Sequence, residues 1–354
     1  MKREFQPDWL SAPGDTIRDM LVEHGVSSTM FAELMDCTPQ DASDLLEGRA
    51  AITIDVARKL QRTLGGSVQF WMSRDFQYRE DAARLDAAGR EWTRELPLSD
   101  MIKFGWIRAP HPSRELGACL EFFGVPDLLS WHEKYARLER LAAFRTSPSF
   151  ESRAAAVAAW LRQGEIVGES IACRPWEPAA FEASLYELRA LTREKDPVRF
   201  LRVLREKCSE HGVAFAIVRG PSGCRASGAT RMIAHDKVLL QLSFRYLADD
   251  QFWFTFFHEA GHAVLHRKKD FFVDGIGDNT DIEEAQADEF AERVLVPDSF
   301  REELRKLRGE AKQVIRFAQK VGVSPGMIVG QMQHTGRIPH SHLNQLKRRF
   351  KWDS

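Results

Sequence analysis

The stretch 256-FFHEAGHAVLH-266 constrains this chain more tightly than any other. Residues four apart on a helix share one face and lie about 6 Å from each other. His258 and His262 can therefore aim their imidazoles at a single ion, with Glu259 beside them on the open side. This is the HExxH arrangement, in which two histidines bind zinc and the glutamate is general base toward a metal-activated water. The surrounding run is strongly apolar, and burying two imidazoles and a carboxylate there is costly unless they have partners.

A catalytic zinc takes three protein ligands and leaves one position open. The segment 284-EAQADEFA-291 offers Glu284 as the third ligand, and Asp288, one turn on, is placed to hydrogen-bond a ligating histidine. His266 is the rival, since it continues the four-residue series. Three imidazoles on successive turns of one straight helix diverge, however, and do not reach one tetrahedral ion comfortably. The plainer reading of His266 is a partly solvated helix-end residue.

The rest of the chain sets the context. Its 354 residues suffice for two or three domains at roughly 100–200 residues each. Fifty Lys and Arg against 51 Asp and Glu give a formal charge of -1, so any contact with DNA has to come from a local patch. The five cysteines (Cys37, Cys119, Cys173, Cys208 and Cys224) are scattered and never form a CxxC pair. That argues against a disulfide framework or a cysteine zinc site, and for a reducing compartment. The opening residues lack the apolar core of a signal peptide, and the apolar run Phe252 to Val264 is too short and too interrupted to span a bilayer. A cytoplasmic protein with no membrane partner is expected.

From Thr16 to about Tyr78 the pattern is of short helices divided by polar turns. Gly25 stops the first, Ser27 and Ser28 can cap the second, and Thr38 caps a third that begins at Pro39 and ends near Gly48. A fourth, IDVARKLQRTLG, places Ile54, Ala57, Leu60 and Leu64 at helical spacing. This is the layout of a helix-turn-helix module. Residues 12–79 resemble the helix-turn-helix domain of HigA-type antitoxins in the Xre family. The resemblance implies that the helix Pro39–Leu46 enters the major groove of double-stranded DNA, with Thr38, Gln40, Asp41, Ser43 and Asp44 toward the bases and Arg49 near the backbone. The charges pull the other way: between Asp15 and Gly66 there are nine acids and five bases. Phosphate neutralisation supplies most non-specific affinity, so a monomer should bind weakly and a homodimer would double the contacts. A protein–protein or dimerisation role is the other reading of this module.

Residues 92 to about 210 read as helices, in 116–125, 153–165 and 181–194, and Trp131, Trp160 and Trp176 read as core or interface residues. At His211 the texture changes. The runs 213-VAFAIVRG-220 and 237-KVLLQLSF-244 are β-rich and separated by glycines, a loop follows at 270–281, and a helix is expected from Ile282 to Val294. An extended substrate would add to a strand edge at Gly228–Arg231 or Lys237–Ser243. Arg245, Tyr246 and His235 are weak candidates for stabilising an oxyanion. The segment from Arg301 to Lys351 is rich in Lys and Arg but interleaved with acids. It is either a supplementary phosphate or partner contact or a solvated helical face.

HEAGHAVLH, EEAQADEFAERVLVP and LLQLSFR…DDQFWFTFF together resemble the zinc peptidase domain of the ImmA/IrrE family, and 322–352 resembles the C-terminal extension of members that carry an Xre domain. By that resemblance His258, His262 and Glu284 are the metal positions and Glu259 is the base. Asp288 stands where asparagine is commoner, and VLVP where LLMP is usual. The expected fold is multidomain and mostly α. It comprises a helix-turn-helix bundle (1–80), a helical middle region (81–205), an α+β zincin-like peptidase domain (206–300) and a basic helical extension (301–354). The resemblance implies a zinc-dependent endopeptidase that cuts a repressor or antitoxin-type protein. The alternative is a non-proteolytic transcription regulator or antitoxin whose peptidase-like domain senses metal, ligand or partner.

Overall fold

The computed structural model describes residues 11–111, 114–135, 154–243, 245, 248–266, 272–273 and 281–350. The chain forms two compact units, Met1–Arg94 and Glu95–Ser354. The boundary thus falls inside the region expected to start a middle domain, because one continuous helix, Val68–Glu95, carries the chain past residue 80.

In the first unit four short helices, α1 (Pro13–His24), α2 (Ser28–Leu34), α3 (Pro39–Leu46) and α4 (Ile54–Leu64), precede that long helix. Local chemistry sets their ends. Gly25 closes α1 in the left-handed conformation at φ 66°, which glycine adopts without strain. The Ser27, Thr38 and Thr53 hydroxyls cap α2, α3 and α4 by accepting from backbone N–H groups three residues on. Ile17, Leu21, Phe31, Met35, Leu45, Leu60 and Trp71 lie among the buried residues that make the core of this unit.

In the second unit a four-stranded sheet has the order β1–β3–β2–β4, with β1 Val213–Ile217, β2 Gly228–Ala234, β3 Lys237–Leu242 and β4 Phe272–Val273. β1 runs parallel to β3, while β2 is antiparallel to both β3 and β4. The side chains alternate between faces. Val213, Phe215, Val238, Leu240 and Leu242 join one core with Phe252, Trp253, Phe256 and Phe257 of the helix Asp249–Leu265. On the opposite face, Gln241 donates from Nε2 to the Trp160 carbonyl at 2.8 Å. A Cβ on Gly168 would lie 2.9 Å from Leu239, so the helix Ala154–Ser170 approaches the sheet closely there. Both faces of the sheet are apolar, and both are covered.

That covering accounts for two differences from the sequence expectation. The middle-region helices Pro178–Leu188 and Pro197–Glu210 supply Phe181, Leu185, Phe200 and Leu204 to the same core as the strands. The C-terminal helices Ala311–Val321 and Pro325–His334 supply Val314, Phe317, Met327 and Ile328. The divisions drawn at 205 and 300 therefore do not coincide with breaks in the packing. Trp131 and Trp160 are buried, the latter donating to the Val218 carbonyl at 2.8 Å, and Trp176 packs on the core's margin. Among the described residues no helix is long and apolar enough to cross a membrane.

β3 lies between β1 and β2, so Lys237–Ser243 offers no free edge. This corrects one of the two expected docking edges. The other, Gly228–Arg231, is paired with β4 only at Ala229 and Thr230.

Candidate functional site

The helix Asp249–Leu265 begins with two buried aspartates in its first turn, which suit the positive end of the helix dipole. Asp249 is fully buried and accepts from the Ser324 hydroxyl at 3.0 Å and the Arg348 backbone N–H at 2.9 Å. Burial pushes its carboxyl above the usual aspartate range, against those hydrogen bonds. A Cβ on Gly326 would come within 2.9 Å of the Asp249 carboxyl carbon, so the C-terminal helix needs glycine there. The start of the histidine-bearing helix is thus fixed by the C-terminal segment.

Two turns further on, His258, Glu259 and His262 are all buried. The Nε2 atoms of His258 and His262 lie 3.0 Å apart. The Glu284 carboxylate, from the helix Asp281–Leu295, reaches His258 Nε2 at 3.2 Å and His262 Nε2 at 3.6 Å. These three side chains are brought together as the sequence anticipates. The close approach depends on Gly261, where a Cβ would meet the Ala287 backbone at 3.3 Å.

The far side of each imidazole is also held. Asp288 Oδ1 lies 2.8 Å from His258 Nδ1, so the Nδ1–H donates there and the Nε2 lone pair faces Glu284 and His262. His262 Nδ1 lies 3.1 Å from His266 Nδ1, and His266 Nε2 lies 2.9 Å from the Gln286 amide oxygen. A carbonyl oxygen can only accept, so His266 Nε2–H donates to Gln286, and in the matching tautomer His266 Nδ1 accepts from His262 Nδ1–H. That chain leaves the His262 Nε2 lone pair pointing inward. His266 sits outside the cluster of three, at the end of the helix with φ -118°. It is neither a ligand-distance neighbour nor merely solvated, because it orients His262. Burial lowers the His262 pKa from its ordinary 6.5, with His258 and His266 acting in the same direction and Glu284 opposing, which favours the neutral ring.

Glu259 turns toward the sheet. Its Oε2 accepts from the Thr230 hydroxyl at 2.7 Å, and the same hydroxyl also donates to the Glu259 carbonyl at 3.1 Å. A Cβ on Gly228 would stand 2.6 Å from Glu259 Cγ and 2.8 Å from Cδ. β2 therefore seats the carboxylate with one glycine and one threonine. Sequence spacing did not show Thr230, Gln286 or the role of His266, since each depends on contacts between separate elements.

Of the weak oxyanion candidates, the two described ones are not gathered here. His235 is 91% exposed in the β2–β3 turn, five residues or about 17 Å along the strand from Thr230. Arg245 donates to the Arg225 carbonyl at 2.9 Å, and Tyr246 lies outside the described residues.

In the first unit, Thr38, Gln40, Asp41 and Arg49 are exposed, and Ser43 and Asp44 are half-buried. Their polar groups engage one another. Thr38 and Asp41 cap reciprocally, Gln40 donates to Asp44 at 2.9 Å, Ser43 donates to Glu47 at 2.9 Å, and Arg49 pairs with both Asp44 and Glu47. The hydroxyl and backbone of Thr38 hold the Asp41 carboxyl below its usual range. Exposed pairs of this kind are worth about 0–1 kcal/mol, so they yield readily to a stronger partner.

In the C-terminal segment many cations are also committed within the chain. Arg301 pairs with Glu292 and Asp298, Lys320 with Glu303, and Lys347 with Asp250, while Arg348 donates to the carbonyls of residues 192–194. That favours the solvated or structural reading of these charges over a phosphate contact.

Residues 235–331 match the IrrE N-terminal-like domain, a peptidase family. A stretch of 61 residues is 44% identical to an uncharacterised HTH-type transcriptional regulator, YddM, of Escherichia coli, covering 17% of this chain and 65% of that protein. The chain thus spans a little under two thirds of that relative's length.

Proposed function

We propose, from the premise that this chain joins an IrrE-like peptidase domain to a segment related to helix-turn-helix regulators, that it is a cytoplasmic DNA-binding regulator with zinc-dependent endopeptidase activity. Its substrate in this reading is a regulatory protein of the repressor or antitoxin kind. The observation that carries it is the convergence of two imidazole Nε2 atoms and one carboxylate, at 3.0, 3.2 and 3.6 Å from one another, beside the buried Glu259.

The donor set fits zinc. Ligands at about 2.0–2.1 Å in tetrahedral array stand about 3.3 Å apart, close to the spacings seen. His258, His262 and Glu284 would hold the ion, with Asp288 and His266 orienting the two rings. When bound, zinc supplies Lewis-acid polarisation of a peptide carbonyl and lowers the pKa of water toward about 7. Glu259 receives the attacking water's proton at its carboxylate and delivers it to the leaving amine nitrogen. Thr230 keeps that carboxylate aimed while the proton is held. The seating of Glu259 against Gly228, the first residue of β2, suits a substrate that approaches along this strand.

The helix-turn-helix unit would dock α3 in the major groove, preferably as a dimer because its acids outnumber its bases. A specific observation also supports the non-proteolytic alternative. Glu259 is fully buried, and a site that only senses metal has no need to expose its base. Glu259→Gln separates the two. In an active peptidase it keeps the zinc and loses cleavage of a co-expressed repressor by about 10²-fold or more. Cleavage at the wild-type rate would overturn the mechanism.

A further inference from the structure

β2 has β3 along one edge and β4 along the other. The Thr230 hydroxyl donates to the Glu259 carboxylate and Gly228 packs against it, so β2 is the strand that touches the base. An extended peptide that joins a sheet is held by main-chain hydrogen bonds from the edge strand. The edge of β2 away from β3 is where such a peptide would lie beside Glu259. There, in antiparallel register, Ala229 stands opposite Val273 and Thr230 opposite Phe272. The chain's own β4 takes that place, and one of the two residues it meets is the one that holds the base.

The outer side of β4 is no substitute. Neighbouring strands lie about 4.8 Å apart, so a peptide there is shifted by that distance from the position beside β2. Misplacement by even 1 Å costs about 10²-fold in rate. β4 is also a short competitor. Among the described residues it engages two positions of β2, which runs for seven residues, Gly228–Ala234. The fourteen residues 267–280 join His266 to Asp281 and reach about 45–50 Å at full extension. That length lets Phe272 and Val273 leave β2 while both flanking helices stay in place.

We infer that Phe272–Val273 makes an autoinhibitory contact: β4 fills the edge on which an extended substrate pairs with β2, and the substrate strand displaces it. The identity of that strand as substrate rests on the peptidase reading, whereas the competition for the edge does not. A segment tethered by short linkers competes at an effective concentration on the order of mM, so a free strand binds the filled edge weakly. The contact favours a partner that pairs with more than two residues of β2 and holds the site in check against short peptides.

The test uses the full-length, zinc-loaded protein and a fluorescein-labelled peptide of the chain's own sequence, 270-DFFVDG-275. In an antiparallel ladder only alternate residues turn their N–H toward the partner, so Phe272→Pro and Val273→Pro are combined to free the edge. Fluorescence anisotropy should show that variant binding the peptide about tenfold or more tightly than wild type. A second variant does not depend on proline being tolerated. Ala229→Cys with Val273→Cys places two thiols at directly opposed positions, which glutathione disulfide should cross-link. The oxidised pair should bind no peptide, and a phosphine reductant should restore wild-type binding. Fluorescein-labelled casein, an unfolded protein, reads cleavage, which should be about tenfold faster in the proline variant and absent in the oxidised pair. Equal peptide binding by wild type, the proline variant and the oxidised pair overturns the inference, as does failure of the cysteine pair to cross-link. If all three cut casein equally, the edge assignment fails and the peptidase stands. If the peptide binds as expected but nothing is cut, the edge assignment stands and the peptidase reading fails.

Discussion

Gly228→Ala isolates the seat of the catalytic carboxylate. The backbone at Gly228 is not in the left-handed region, so alanine meets no conformational penalty there. What it meets is Glu259, with the new Cβ 2.6 Å from Cγ and 2.8 Å from Cδ. Ordinary carbon contacts are about 3.5–4.0 Å, so the two must separate by roughly 1 Å. Glu259 is fully buried and held by Thr230, and β2 is held in register with β3, so neither side moves freely. Overpacking of this kind costs about 1–3 kcal/mol. Reduced freedom of the unfolded chain returns about 0.4–1 kcal/mol. The collision wins, leaving a net loss of about 1–2 kcal/mol, read as a lower urea midpoint at unchanged slope. A displacement near 1 Å should also slow cleavage by about 10²-fold while the zinc content stays the same. Gly220→Ala is the control, since its Cβ meets Cys224 only at an ordinary 3.7 Å. If the two variants were equally stable, Glu259 would not be packed on β2 as described.

Asp288→Ala should weaken zinc about 10–100-fold in a chelator competition, with Asp288→Asn retaining more of the affinity, because Asp288 holds His258 Nδ1 at 2.8 Å. The same competition should show a smaller loss for Gln286→Ala, which acts only through His266. In zinc-free protein, burial keeps the His262 pKa below 6.5, while the unfolded chain protonates near that value. The unfolded state then binds more protons, so stability is full above pH 6.5 and falls as the pH drops through 6.5 toward the folded value. Urea titrations should show this slope and its reduction in His262→Gln. Thr38→Ala removes the cap of α3 and should cost the helix-turn-helix unit about 1 kcal/mol in thermal melts.

Much of the site was legible because it is helical. His258, Glu259 and His262 share one helix, and Glu284 and Asp288 share another, so the 3.6-residue period alone groups them. The caps Ser27 and Thr38 and the stop at Gly25 were legible for the same reason, since they act within a few residues. The sheet was not, because its order depends on pairing across long separations. The parallel β1–β3 pair puts β3 inside, and no local pattern in Lys237–Leu242 marks it as interior. Thr230 was hidden because its partner, Glu259, lies on another element. In the C-terminal helix Ala311–Val321 the cations Lys312, Arg316 and Lys320 mark the polar face that the sequence shows most plainly. Val314, Phe317, Ala318 and Val321 on the other face tie it to the core.

The central claim is that His258, His262 and Glu284 hold one zinc ion. The direct measurement is elemental analysis of purified wild-type protein and of Glu284→Ala. About one zinc per chain in the wild type, lost in the variant, is the predicted result. No zinc in the wild type after the metal is added back, or full zinc in Glu284→Ala, would contradict it.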